Sequence, residues 1–240
     1  MLAQRISEEN IVFEKIESLE KKKSHWVLHS TFQNNFECDH VVLACPAYVQ
    51  SKLLQNIDEE ITLLLDKILY SDVAVAISEY TQKSFPNRNK GFGALCAQDQ
   101  ELHGVLGILF SSDIFPSRTS DQQNRLLTRA ILGGTRYTDV LDWSEQDIKE
   151  RVSKAHQIIF GQPKHQASEV YVFKHKNAIP LYARGHNELQ EKIRSQIRKK
   201  HDDLSLLGNH LFGVGVKDCI RNGEQCAEFI NSGQILSKPI

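Results

Sequence analysis

The chain has no marked excess of charge of either sign: its 29 basic and 30 acidic side chains leave a formal net charge of −1 over 240 residues. This balance creates no field over the whole protein that would attract nucleic acid or an acidic substrate. No apolar run approaches the roughly 18–20 residues that span a bilayer. Residues 1–9 also lack the apolar centre of a secretory signal. The sequence therefore predicts no nucleic-acid binding, no membrane-spanning helix and no secretory signal.

Cysteine is scarce and dispersed. The five cysteines form no CxxC pair; they are Cys38, Cys45, Cys96, Cys219 and Cys226. A secreted disulfide framework or a zinc site would need tighter clustering. We therefore predict reduced thiols in a cytoplasmic protein, and no metal site. Internal repeats and low-complexity stretches are missing as well, and a hydrophobic content of 40% is enough for a sizeable core in one or two domains.

The two ends of the chain have an α/β pattern. Residues 11–16 and 25–30 predict a strand hairpin, and residues 36–44 end in an apolar run that is typical of a strand buried on both faces. Pro46 opens a helix after that strand. Near the other end, residues 204–207 predict a strand, followed by a glycine-rich turn and a helix from about 215 to 231.

The middle of the chain predicts a sheet with helices packed on it. Its expected strands are residues 72–78, 92–96, 105–111, 126–132 and 170–173. Ser144 and Asp147 resemble a capping box in front of an amphipathic helix, and a further helix is expected from His186 to Lys200. The sequence therefore predicts an α/β (mixed α+β) fold, with residues 58–203 inserted into a discontinuous domain made of 1–57 and 204–240.

The glycine-rich turn near the carboxyl end carries most of the chemical information. Gly213 and Gly215 allow backbone N–H groups to approach a ligand with no Cβ in the way. The helix that follows begins with unpaired N–H groups and a partial positive charge, which suits a phosphate or another electron-rich group. The turn lacks the third glycine of a dinucleotide-binding fingerprint. A tight strand-to-helix turn, with Asp218 in the first turn of the helix, is the open alternative.

The longer run GNHLFGVGVKDCIRNG, residues 208–223, resembles the closing motif of the protoporphyrinogen oxidase family. Other stretches resemble that family in the same order: GFGAL at 91–95, GVLGILFSS at 104–112 with FPSR at 115–118, and AIPLY at 178–182 with Gly185 and His186. The segment CDHVVLACPA, residues 38–47, resembles the return of the family into its FAD-binding domain. The resemblance covers essentially the whole chain.

The resemblance implies an FAD-dependent oxidation of protoporphyrinogen IX or coproporphyrinogen III to the porphyrin, in haem biosynthesis, with oxygen or another compound as electron acceptor. It implies a fold like that of monoamine oxidase, with an active site between two domains. Residues 1–57 and 204–240 would be the remaining part of an FAD-binding domain, and residues 58–203 a substrate-binding domain.

The resemblance also assigns site residues. Those expected at FAD are Ile16, Lys174, Asn209, Val214, Gly215 and Val216. Those expected to line the tetrapyrrole pocket are Leu95, Leu109 and Ile131, for which ordinary strand core is the alternative. No catalytic residue is identified; His186 is the one candidate, since imidazole titrates near neutrality, and a backbone-bonded helix residue is its alternative.

The sequence departs from the family at one point. The GxGxxG half that holds the FAD pyrophosphate would lie upstream of Met1, and no substitute for it occurs in the 240 residues. We rank a fragment of a full enzyme first, a split subunit second, and a decayed porphyrin-binding remnant third. Another amine-oxidase-type flavoprotein, such as a desaturase or amine oxidase, is the competing class. The partners left open are a missing N-terminal FAD-binding half, a second copy of the chain and a peripheral membrane surface.

Overall fold

The chain divides into two compact units in the computed structural model, which describes residues 5–119 and 124–232. The first unit comprises Met1–Leu69 and Pro180–Ile240, and the second comprises Tyr70–Ile179. The expected boundaries at 57/58 and 203/204 fall inside the first unit, because the helix after residue 58 and the helix that ends at Lys200 pack against each other there. The roles expected for the two domains stay predictions.

The strands and helices follow one another along the chain. In order they are β1 (Ile16–Lys21), β2 (Trp26–Ser30), β3 (Asn35–Cys38), β4 (Val41–Leu43), α1 (Ala47–Leu54), α2 (Glu59–Leu65), β5 (Tyr70–Thr81), β6 (Gly93–Leu95), β7 (Val105–Leu109), α3 (Ser111–Ile114), β8 (Arg125–Gly133), α4 (Glu145–Phe160), β9 (Glu169–Pro180), α5 (His186–Lys200), β10 (Leu204–Leu206) and α6 (Val216–Ser232). This alternation confirms the predicted mixed α/β fold.

The first unit contains two small sheets. Strands β1, β2 and β3 form an antiparallel meander, in which Lys21 is opposite Trp26. Strands β4 and β10 run parallel, with Leu206 opposite Leu43. The expected strand over 36–44 was wrong in two respects. The segment forms two strands, β3 and β4. Strand β4 is buried on one face only: Val41 and Leu43 are packed, whereas Val42 is 41% exposed.

The second unit is built on one five-stranded sheet. Its strands lie in the order β6-β7-β8-β5-β9, and the β6-β7, β7-β8 and β8-β5 pairs are antiparallel. Alternate residues of β5 and β8 are fully buried against α4, as expected for a sheet with one face on the core. Ser144 and Asp147 form the predicted capping box, which fixes the start of α4.

A buried histidine lies on the core side of this sheet. His156 of α4 is 1% exposed, and its ring nitrogens lie 3.3 Å from the Tyr80 hydroxyl and 2.9 Å from Thr128 Oγ1. Burial lowers the pKa of His156 to about 4, because the charged imidazolium would lose its hydration. The side chain is therefore neutral at pH 7.

Among residues 5–119 and 124–232, no helix is both long enough and apolar enough to cross a bilayer.

Candidate functional site

The strand-to-helix turn after β10 has a backbone that only glycine adopts easily. Gly208 has a φ of +144° and Gly213 a φ of +122°, both in the region that disfavours L side chains. A Cβ on Gly213 would lie 2.7 Å from the Cβ, Cγ and Oδ2 atoms of Asp218. The turn therefore depends on glycine for its backbone angles and for its close approach to the first turn of α6.

One buried amide fixes the start of this turn to the parallel sheet. Gln50 of α1 is 0% exposed, and its Nε2 lies 2.8–2.9 Å from the carbonyl oxygens of Leu43, Cys45 and Leu207. An amide nitrogen carries two hydrogens, so three acceptors share them. Gln50 therefore joins the carboxyl ends of β4 and β10, from which the turn departs.

The amide oxygen of the same Gln50 side chain contacts His210. His210 is 0% exposed, and its Nε2 lies 3.2 Å from Gln50 Oε1. Since a carbonyl oxygen only accepts, this contact assigns the proton to Nε2 of His210. Burial, and secondarily the neighbouring His186, lower the pKa of His210 to about 4. His210 is thus a neutral structural group, and its sequence context gave no local signal of this role.

The first turn of α5 supports the glycine turn from another direction. His186 Nε2 donates to the backbone oxygen of His210 at 3.0 Å, and His186 is 6% exposed. The Tyr182 hydroxyl donates to the oxygen of Asn209 and accepts the N–H of Gly213, both at 3.0 Å. These contacts match the backbone-bonded alternative for His186, and its catalytic role stays a prediction. Asn209 takes part in the turn through its backbone oxygen.

Beyond Gly213 the turn faces outward. Within the described chain, the N–H groups of Val214, Gly215 and Val216 donate to no acceptor. The side chains of Val214 and Val216 are 56% and 79% exposed. Because α6 is 17 residues long, its amino end carries the full partial charge of a helix dipole. Free amides between exposed apolar side chains fit the electron-rich edge of a flat aromatic ligand such as a flavin ring.

The two other residues expected at FAD, Ile16 and Lys174, do not belong to the glycine turn. Ile16 is the first residue of β1, is half-buried and pairs with Ser30. Lys174 lies in β9, where its Nζ donates to the backbone oxygens of Leu141 (2.7 Å) and Trp143. Lys174 thus has partners within the second unit; whether either residue contacts FAD stays a prediction.

The three residues expected to bind substrate share one face of the five-stranded sheet. The register places Leu95 opposite Gly107, and Gly107 opposite Ile131. Leu109 lies two residues along β7 from Gly107 and therefore on the same face. The opposite face carries Ile108 and Ala130, which are buried in the cluster with α4. The structure therefore brings Leu95, Leu109 and Ile131 together on the face away from α4, hereafter the open face.

Replacing Gly213 with alanine tests whether the turn needs its glycine. Gly213→Ala should lower the free energy of unfolding by about 1–3 kcal/mol, because a positive φ and a 2.7 Å contact with Asp218 must both be relieved. Urea titration followed by circular dichroism measures this. Gly223→Ala is the matched control: its Cβ would meet nothing within 4 Å, and alanine inside α6 should stabilise by about 0.5–1 kcal/mol. Equal midpoints for the two variants would contradict the assigned role of Gly213.

The chain matches a known protein family over nearly its whole length. A family model described as flavin containing amine oxidoreductase matches residues 2–231. Protoporphyrinogen oxidase of Homo sapiens is 32% identical over 199 residues, which cover 81% of this chain and 40% of that protein. The chloroplastic protoporphyrinogen oxidase 1 of Spinacia oleracea is 28% identical over 200 residues, covering 80% of this chain and 35% of the relative. The chain thus spans about two-fifths of the length of these relatives.

Solved structures show the same fold at low identity. Cyclohexylamine oxidase from Brevibacterium oxydans superposes with a TM-score of 0.75 at 13% identity, covering 97% of this chain and 51% of that one. A reduced UDP-galactopyranose mutase gives a TM-score of 0.79 at 11% identity, covering 99% and 51%. In both comparisons the chain corresponds to about half of a larger protein.

Proposed function

Because the chain belongs to the flavin-containing amine oxidoreductase family, we propose that it takes part in the FAD-dependent oxidation of a porphyrinogen to a porphyrin. The flavin is the cofactor of the family. The finer assignment, to protoporphyrinogen IX or coproporphyrinogen III, is supported by the relatives named protoporphyrinogen oxidase. Haem biosynthesis in the cytoplasm and peripheral contact with a membrane belong to the same proposal.

The observation that carries the proposal is the outward-facing part of the turn before α6. The N–H groups of Val214, Gly215 and Val216 are without acceptors in the described part of the chain, at the positive end of a 17-residue helix. Placed against the pyrimidine edge of a flavin, they would stabilise the negative charge that gathers there on reduction. The exposed Val214 and Val216 side chains would exclude water from that edge.

The open face of the second unit suits the other reactant. Leu95, Leu109 and Ile131 place three apolar side chains on one face of the sheet, as a large planar macrocycle requires. The chemistry that FAD supplies when bound is acceptance of a hydride from a saturated carbon of the macrocycle. The chain contributes binding and orientation, and no side chain near the turn is assigned as acid or base.

The proposal includes a second polypeptide segment. The 240 residues contain no GxGxxG, so the pyrophosphate of FAD needs a site outside them. We propose that the chain acts as a C-terminal fragment or split subunit, together with an N-terminal FAD-binding half. That the chain covers only 40% of its human relative supports this.

Co-expression with the N-terminal half of a protoporphyrinogen oxidase tests the function. The expected result is a complex with flavin absorbance that converts protoporphyrinogen IX or coproporphyrinogen III to the conjugated, fluorescent porphyrin. The same half without this chain is the control and should yield no activity. A flavin-loaded complex that oxidises amines and not porphyrinogens would assign the chain to an amine oxidase. Porphyrin binding without flavin would assign it to a non-catalytic porphyrin binder.

A further inference from the structure

The centre of the open face carries a charged side chain, Arg129, with apolar neighbours. Arg129 lies in the middle of β8, opposite Leu109 of β7 and Ile77 of β5. Its neighbours on the same face of β8 are Leu127 and Ile131, two residues away in each direction. Apolar side chains therefore flank Arg129 along its own strand and across both neighbouring strands.

The guanidinium of Arg129 has no counterion in the described part of the chain. Among the residues that the structure describes, it forms no hydrogen bond and no ion pair, and its Nε is buried without a partner. The acidic residue on the same face of β5, Glu79, is already paired with Arg125 and also accepts from Ser168. Residues 5–119 and 124–232 thus supply no anion for Arg129.

The other described arginines of the second unit are all engaged. Each contacts a carboxylate, a backbone oxygen or an aromatic ring: Arg88 with Asp113, Arg118 with Phe115, Arg125 with Glu79, Arg136 with Ala97, and Arg151 with His103 and Trp143. Arg129 is the exception, although it lies in the centre of the sheet rather than at its rim.

An unpaired arginine in this position lowers the stability of the fold unless a ligand supplies its counterion. A half-buried positive charge without a partner destabilises the fold. A planar guanidinium is best matched by a carboxylate, which it binds with two parallel hydrogen bonds. Strand spacing puts Arg129 about 7 Å from Ile131 along β8 and two strands, about 10 Å, from β6 with Leu95. A flat ligand resting on Leu95, Leu109 and Ile131 therefore has an edge within reach of Arg129.

We propose that Arg129 is a specificity-determining residue that binds a carboxylate of the ligand on the open face, and so selects acidic tetrapyrroles over neutral ones. This inference rests on the proposed function, because it takes the ligand of the open face to be a tetrapyrrole. Arg129 acts in binding and orientation; it takes no part in electron or proton transfer.

A comparison of a porphyrin with its methyl ester tests the inference. The purified full chain is titrated with a porphyrin carrying two propionic acid groups and with the corresponding dimethyl ester, and binding is followed by porphyrin fluorescence. The wild-type chain should bind the diacid about tenfold more tightly than the ester, as a charge-assisted hydrogen bond to a half-buried site implies. Arg129→Gln should abolish this preference and leave the affinity for the ester within about twofold.

Two further variants separate charge from geometry. Arg125→Gln removes a positive charge from the same strand and the same face, but from a guanidinium already paired with Glu79, and should keep the preference for the diacid. Arg129→Lys keeps the positive charge but loses the planar guanidinium. It should therefore retain only part of the preference for the diacid. Thermal unfolding should show Arg129→Gln to be at least as stable as the wild type, since an uncompensated charge is removed.

The outcomes distinguish the two proposals. An unchanged preference in Arg129→Gln, equal wild-type binding of diacid and ester, or a lower unfolding midpoint for Arg129→Gln than for Arg125→Gln would each overturn the role of Arg129 and leave the proposed function standing. Binding of neither porphyrin by the wild-type chain, both alone and co-expressed with the N-terminal half, would overturn both.

Discussion

Acidification from pH 7 to pH 4 is expected to remove about 3 kcal/mol of stability from each compact unit. Each unit contains one buried neutral histidine whose pKa is lowered to about 4 by burial: His210 in the first and His156 in the second. In the unfolded chain both would titrate at their ordinary value of 6.5. The difference of about 2.5 pH units corresponds to about 3 kcal/mol for each histidine.

The direction and pH window follow from proton uptake. Below pH 6.5 the unfolded chain binds a proton at each histidine and the folded chain does not, so stability falls as the pH falls. The loss ends near pH 4, where the folded histidines are protonated too. The ion pair with Arg88 lowers the pKa of Asp113, so that carboxylate loses its contribution only below its ordinary value of 3.8. The histidine window is therefore separate from that of Asp113.

Denaturant titrations at several pH values measure this effect unit by unit. The chain has two tryptophans, Trp26 in the first unit and Trp143 in the second, so Trp143→Phe leaves fluorescence that reports on the first unit alone. His156→Gln should flatten the pH dependence of the second unit while Thr128 and Tyr80 keep a hydrogen-bonding neighbour. His165→Gln, at an exposed position, is the control. Equal stability at pH 6.5 and pH 4.5 would contradict the neutral, buried state of both histidines.

Replacing Gln50 with leucine should cost about 3–5 kcal/mol of stability. The carbonyl oxygens of Leu43, Cys45 and Leu207 would lose their shared donor, and His210 would lose its acceptor. Each buried polar group left without a partner costs about 1–3 kcal/mol. The loss should exceed that of a surface substitution several-fold, because Gln50 is fully buried.

Gln55→Leu provides the matched control for this change. Gln55 follows the last residue of the same helix and is exposed, so the same chemical substitution there should change stability by less than about 0.5 kcal/mol. Urea unfolding followed by far-UV circular dichroism compares the two. If both variants unfold at the same urea concentration as the wild type, Gln50 does not join the strands to the turn.

Local sequence patterns were sufficient for the regular helices. The helix expected from His186 to Lys200 is α5, because its apolar residues have helical spacing and Gly185 supplies a left-handed residue before it. The expected strand over 105–111 is wrong at its end, since Ser111 begins the short helix α3. The strand expected over 170–173 is also too short, because β9 continues to Pro180 through a polar stretch.

Tertiary contacts explain what the local patterns missed. The polar part of β9 reads as a loop, yet pairing with β5 and a hydrogen bond from Asn177 N–H to Asp72 keep it in the sheet. At the candidate site, too, the sequence missed the contacts that join distant parts of the chain. The turn was identified from Gly213 and Gly215, whereas the contact of Gln50 with His210 joins residues 160 positions apart. Arg129 was missed because its isolation on the open face depends on strand register, which the sequence alone did not fix.

The contacts of Gln50, Tyr182 and His186 end at Gly213, and this divides the turn into an anchored part and an unanchored part. Side chains at positions 214 and 216 can be exchanged without disturbing the anchored part, since neither is packed against it. With the flavin placed as proposed, the polarity beside its ring can therefore be changed by mutation independently of folding. Substitutions at these two positions would then change the redox potential of the flavin and leave the anchored part of the turn unchanged.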